Sequence, residues 1–223
     1  TPNNINRILN AIVRLLNIMT WNLSAISGIS HTNKLPLLQN ALNAELADNY
    51  RVLFHLLSLA YNSTAIASIR NLVNDGNDRD VSYAIEMLDQ IVNEEIKQVL
   101  FPVLENLSLK ERVKQLKYFF PAENIVHSEI ISEVITRDYN IISLYAKACA
   151  IISWLNLKKP DINQVLVSNL FHPSKLIRES ASYVINKIDK NYLDTIYPRI
   201  ESGIVNEIKT SLAHTKNGSL YLI

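Results

Sequence analysis

Apolar residues in this chain recur at i, i+3, i+4 and i+7, and nowhere do they alternate strictly for long enough to build a strand. Val81, Ile85, Leu88 and Val92 make one such stripe. Leu144, Ala148, Ile151 and Leu155 make a second, and Ile177, Ala181, Val184 and Ile188 a third. A period near 3.6 residues gives each helix one apolar face that has to be covered by another helix, so the expected fold is all-α. The punctuation agrees. Only four glycines occur, at Gly28, Gly76, Gly203 and Gly218. Pro173 bars a helix from running backwards past Ser174, which is placed as its N-cap, and Asp78 and Asp80 are read as capping acids ahead of Val81.

The stripes themselves repeat. Val81, Val113, Leu144 and Ile177 stand 32, 31 and 33 residues apart, and an apolar residue follows each by seven: Leu88, Phe120, Ile151 and Val184. An earlier unit is placed on Val52, with Leu56 and Leu59 at the matching offsets. Partner helices are expected over residues 36–47, 64–74, 94–104, 125–136 and 162–170, and a last helix over 193–210. Paired helices recurring at this period, each pair unable to bury its stripe alone, lead to an α-solenoid, an α-α superhelix of about five helix pairs. Residues 1–223 are expected to form one such domain: 1–35 an N-terminal helix or cap, 36–190 the repeats, 191–223 a C-terminal cap helix and linker.

Composition narrows the function classes. Of 223 residues 48% are hydrophobic and 19% charged, which supports a sizeable core and argues against a disordered chain. Twenty-two Lys and Arg against 21 Asp and Glu leave a net charge of +1, so the chain carries no electrostatic footprint for nucleic acid or an anionic membrane. The single cysteine, Cys149, excludes an internal disulfide framework and a multi-cysteine zinc site. No signal peptide opens the sequence, and residues 12–29 carry Arg14, Asn17 and Asn22, too polar for a free-standing membrane span. Because the chain opens on Thr1 and ends on the apolar run Leu220, Tyr221, Leu222, Ile223, the natural protein is expected to continue on both sides.

The tetratricopeptide and ankyrin signatures are absent. The stretch from Pro173 through Ile177 and Arg178 to Ala181 resembles the second helix of a HEAT repeat, and Asp78 to Ala84 resembles it more loosely. Residues 37–107 carry a closer likeness: Leu37, Leu38, Gln39, Asn40, Ala41 and Leu42, then Glu45 and Leu46, then Leu53 to Leu59 with Tyr61. Tyr83 to Asp89 and Pro102 to Glu105 complete it. This run is similar to the HEAT-repeat region of bacterial ATP:ADP-antiporter-like membrane proteins, in which a transporter-type membrane domain precedes the repeats and a cyclic-nucleotide-binding-type barrel often follows. Gly218 to Ile223 resembles the linker into that barrel. The resemblance implies a cytosolic segment of a larger inner-membrane protein with protein partners; it carries over no catalytic, cofactor or metal residue.

Candidate chemistry was weighed residue by residue. None of His31, His55, His127, His172 and His214 pairs with another histidine or with Cys149 at ligand spacing, and His55 is read as a helix histidine. Asp75, Gly76, Asn77, Asp78, Arg79, Asp80 and Glu86 imitate a calcium loop, but Arg79 and Asp80 occupy the places that need an oxygen ligand and a glycine. Cys149, in the small-residue run Ala146 to Ala150, is expected to be a buried structural thiol. The one basic cluster is Lys110, Arg112, Lys114 and Lys117, beside Tyr118, Phe119 and Phe120, which reads as a solvated helix face or a docking patch for an acidic partner or lipid headgroup. No catalytic constellation, cofactor motif or metal set remains. The expected function is therefore a non-enzymatic interaction or scaffold domain on the cytoplasmic side. The alternatives are a nucleic-acid-binding or DNA-glycosylase-like helical-repeat protein, which would require a basic concave face, and a free-standing cytoplasmic scaffold.

Overall fold

The computed structural model describes residues 2–30, 34–75, 77–121 and 129–215, and among these every regular element is a helix. In chain order they are α1 (Pro2–Ile29), α2 (Pro36–Ala60), α3 (Ser63–Asp75), α4 (Asp78–Asp89), α5 (Glu94–Leu104), α6 (Leu109–Phe119), α7 (Ile130–Thr136), α8 (Leu144–Ser153), α9 (Gln164–Ser168), α10 (Lys175–Ile188), α11 (Tyr192–Ile196) and α12 (Ser202–Thr215). Short 3₁₀ turns at Trp154–Asn156, Asn169–Phe171 and Tyr197–Arg199 tighten the ends of α8, α9 and α11. The expected starts of the helices at 125 and the readings on His31, Gly76, His127 and the 218–223 segment lie outside the described residues.

The chain divides into two compact units. The first comprises Thr1–His31 and Asn43–Ile125, the second Thr32–Leu42 and Val126–Ile223, so the opening turns of α2 count with the second and the rest with the first. In the first unit α3, α4, α5 and α6 each lie against the next, and α1 lies against α5 and α6. Its core gathers Leu16, Met19 and Leu23 of α1, Leu53 and Leu57 of α2, Ile66 and Ile69 of α3, Leu88 of α4, Leu100 and Val103 of α5 and Leu116 of α6. Helix α1 is long and apolar enough to cross a membrane, yet 67% of its most apolar window is buried inside the protein, as a core helix would be.

Local signals explain where these helices start. Asn77 is the N-cap of α4: its side chain accepts from the Arg79 and Asp80 amides while Asp80 reaches back to the Asn77 amide. That reciprocal box satisfies amides the helix cannot pair itself. Asp80 therefore caps as expected, but the cap residue is Asn77 and not Asp78. Ser108 and Glu111 make the same box at the head of α6. Ser174 precedes α10 as predicted, although its side chain makes no capping bond.

In the second unit α8 lies along α7 and α10, and α10 along α11 and α12. Ala146, Ala148, Ala150, Ile151, Ile177, Ala181, Val184 and Ile185 are buried between them. Cys149 is buried as well; burial pushes its thiol up, against a hydrogen bond with Tyr145. Trp154 is buried and its indole N–H donates to Asp161 O at 3.0 Å. Arg178, only 8% exposed, grips both oxygens of Glu207 through Nη2 at 2.7 and 2.9 Å, while its Nη1 donates to the carbonyls of His172 and Pro173. One guanidinium thus ties α10 to α12 and to the loop before it.

That loop contains a pH-sensitive contact. The Ser174 amide donates to His172 Nδ1 at 3.0 Å, so the neutral ring carries its proton on Nε2. Partial burial, and then the nearby charges of Lys147 and Arg178, hold the His172 imidazole below its ordinary value. A depressed histidine binds fewer protons folded than unfolded. Its contribution is intact above about pH 6.5, the unfolded value, and is lost as pH falls through that value toward the lower folded one. Protection of the α8 and α10 amides, the exchange rate taken relative to the intrinsic rate at each pH, should fall from about pH 7.5 to about pH 5.5 in the parent chain, and the change should be flattened in His172→Asn, whose amide oxygen can still accept from Ser174. A slope unchanged by H172N would remove His172 as its source.

Two elements depart from expectation. Residues 36–47 and 52–59 were read as separate helices, but α2 runs unbroken through both. Neither glycine nor proline interrupts it, and Asp48, at the expected break, pairs with Arg51 one turn on. The expected helix over 193–210 is instead two, α11 and α12, because Pro198 cannot donate an amide to a helix interior and sits in the 3₁₀ turn between them.

Candidate functional site

The four clustered basic residues separate by face. Successive residues of a helix turn by about 100°, so Lys110, Lys114 and Lys117 share one side of α6 while Arg112 points nearly opposite. Lys110 and Lys114 are exposed, Lys117 is half-buried, and Tyr118 beside them is 83% exposed. The expectation of a single cluster is corrected accordingly: three lysines make a surface stripe, and Arg112 belongs to the interior side of the helix.

There Arg112 holds together the end of α5. Its Nη2 donates to Glu105 O at 2.8 Å and its Nη1 approaches Tyr50 Oη at 3.5 Å, while Tyr50 Oη donates to Val103 O at 2.8 Å. The last carbonyls of a helix have no partners within it and carry the negative end of its dipole, so a cation and a phenol gathered on them are stabilising. Burial pushes the Tyr50 phenol up, opposed by the Arg112 charge. Arg112 Nε is buried and donates to nothing. Across the loop, Asn106 Nδ2 donates to Asp78 Oδ1, tying the α5–α6 connection to the first residue of α4.

These contacts frame an open cleft of about 580 Å³ within the first unit, to which α2, α3, α4, α5 and α6 all contribute. Phe54, Val73, Val81, Val103 and Leu104 give it an apolar lining. Arg51, Arg70, Asn74 and Arg112 supply its polar groups, and Arg51 carries Asp48 as an exposed partner. A shallower hollow of about 430 Å³, lined by Ser82, Ile85 and the shared residues Asp78, Val81, Glu105 and Asn106, adjoins it. A recess of this size with an apolar floor and a few convergent polar groups has the make-up of a binding site. Among the described residues no histidine, cysteine, serine or lysine lines the main cleft; its two carboxylates are Asp78, already bonded by Asn106, and Glu105.

Elsewhere the predicted residues stay apart. His55 is on the exposed side of α2, His172 is committed to Ser174, and His214 is exposed near the end of α12. Among the described residues no group of three or more His, Cys, Asp or Glu is placed to hold a metal ion. Sequence reading missed Tyr50, Arg70, Asn74, Asp78 and Asn106 as members of one site, because they come from three helices and a loop. One local signal was available: Ser108 and Glu111 fix the start of α6 and hence the inward direction of Arg112. No family model, curated protein or solved structure matches the chain.

Proposed function

We propose that this chain is a non-catalytic, HEAT-like helical-repeat interaction domain, the cytosolic part of a larger nucleotide-transporter-like membrane protein that links its membrane domain to a regulatory domain. The observation that carries the interaction role is the first unit's cleft, roomy, with an apolar lining and polar groups at its mouth. Neighbour-on-neighbour helix packing within each unit, α3 to α6 and α7 to α8 to α10, is the local arrangement a helical-repeat array is built from. On this reading α1, lying against α5 and α6, is a capping helix. Membrane attachment rests on the resemblance over residues 37–107.

Fractionation of the source cells with an antibody to this chain tests the attachment. The expected result is an antigen far larger than the chain itself, in the membrane pellet, resistant to salt and carbonate washing. A soluble antigen of the chain's own size would remove the membrane assignment and leave a free scaffold.

A further inference from the structure

We propose that the cleft of the first unit binds an extended, acidic polypeptide segment, seating a carboxylate between Arg70 and Arg112 and an apolar side chain on the half-buried Val73 and Val81. The inference rests on reading the chain as an interaction domain and names the class of partner.

Charge is the first argument. Three arginines reach this cleft against two carboxylates, and one of those, Asp78, already accepts from Asn106. Guanidinium groups suit planar anions because their donors are fixed in a fork. Two Arg112 nitrogens are engaged, Nη2 on Glu105 O at 2.8 Å and Nη1 on Tyr50 Oη at 3.5 Å, the longer and weaker of the two. These contacts hold the guanidinium in place on the lining, so bringing its charge to a ligand costs little ordering. Arg70 is exposed at the mouth, and the exposed Arg51–Asp48 pair is of the kind worth little in water and readily exchanged.

Shape is the second. The cleft is open and adjoins the hollow beyond the Asp78–Asn106 bridge, an elongated trough in keeping with a strand-like chain. An apolar floor needs an apolar side chain on the ligand, which an inorganic anion lacks. The Asn74 amide, exposed on the lining, offers both a donor and an acceptor to a peptide backbone.

Fluorescence anisotropy of the full chain with a labelled peptide of alternating Leu and Glu tests this, against Leu–Gln and Leu–Lys peptides of the same length. The acidic peptide should bind at least about tenfold more tightly than either control, with affinity falling as salt rises. Arg70→Glu, at an exposed position, should weaken it about tenfold or more, and Val73→Trp should block it, while the Lys110→Glu/Lys114→Glu pair on the opposite face leaves it unchanged. Arg112→Gln should do the same as R70E if it folds; R70E and V73W decide the matter if it does not. Binding that survives R70E and V73W, or that is lost in the lysine double variant, overturns the cleft assignment but leaves an interaction domain with another docking face. Failure of the acidic peptide to bind, or its displacement by inorganic pyrophosphate at equal concentration, overturns the partner class. The fractionation result bears on neither.

Discussion

Leu57→Ala should destabilise the first unit by about 3 kcal/mol, whereas Leu59→Ala, two residues along the same helix, should change stability by no more than about 0.5 kcal/mol. Leu57 is fully buried and belongs to the cluster formed with Leu16, Met19, Leu53, Leu88 and Leu100. Removing its branched end forfeits the transfer free energy of three carbons and leaves a cavity that the surrounding core cannot close without moving. Leu59 is 68% exposed, so its truncation loses little buried surface. Urea denaturation followed by circular dichroism gives the two changes, and hydrogen exchange of the α3–α6 amides assigns the larger one to this unit. Equal losses at the two positions would mean that α2 presents a different face to the core.

The contrast bears directly on what the sequence disclosed. The repeat register set on Val52, Leu56 and Leu59 is overturned: Val52 is 47% exposed, Leu56 half-buried and Leu59 mostly exposed, while Leu53, Phe54 and Leu57 carry the core. Residues 52–54, 56–57 and 59 are apolar on nearly every side of the helix, so periodicity alone offers two faces, and only burial in the core of the first unit selects one. Leu144 misleads differently. It is the first residue of α8, capped by Ser143, and with Tyr145 it stays exposed at the helix start while burial begins at Ala146. By contrast Leu88, Ile177 and Val184 are buried because α4 and α10 are amphipathic with clear polar faces, and Ile151 is buried because α8 is enclosed on nearly every side from Ala146 to Ser153.

The candidate site was legible only in part, for a related reason. That Arg112 leaves the lysine face follows from helical spacing within α6. Its partner Tyr50 is 62 residues away on α2, and nothing local to either residue announces the other. A cleft assembled from five helices is a property of their packing, so its residues carry no shared motif. Helix existence was recoverable because each helix needs only its own stripe and cap. Helix continuity at Asp48 was not, since a polar pair on the solvent side resembles a break in the apolar pattern.

Arg178→Met should destabilise the second unit by about 3 kcal/mol, the larger part of it arising from Glu207. The guanidinium is nearly buried and the Glu207 side chain is 25% exposed, so deleting the cation leaves a carboxylate that water reaches poorly. The same deletion frees the His172 and Pro173 carbonyls, which sit at the loop where α10 begins and where water replaces the lost donors in part. These two contributions are separable. In the Arg178→Met/Glu207→Leu double variant the orphaned charge is gone and apolar contact replaces the pair, so most of the loss should be recovered, with about 1 kcal/mol remaining for the carbonyls. The coupling between the two substitutions then reports the ion pair together with the Met–Leu contact that replaces it. Denaturation of the four proteins completes the cycle, and exchange rates in α10 and α12 show where the structure loosens. A single variant within about 0.5 kcal/mol of the parent would mean that Arg178 is dispensable, and that α12 is held to α10 by apolar contacts such as those of Ile208.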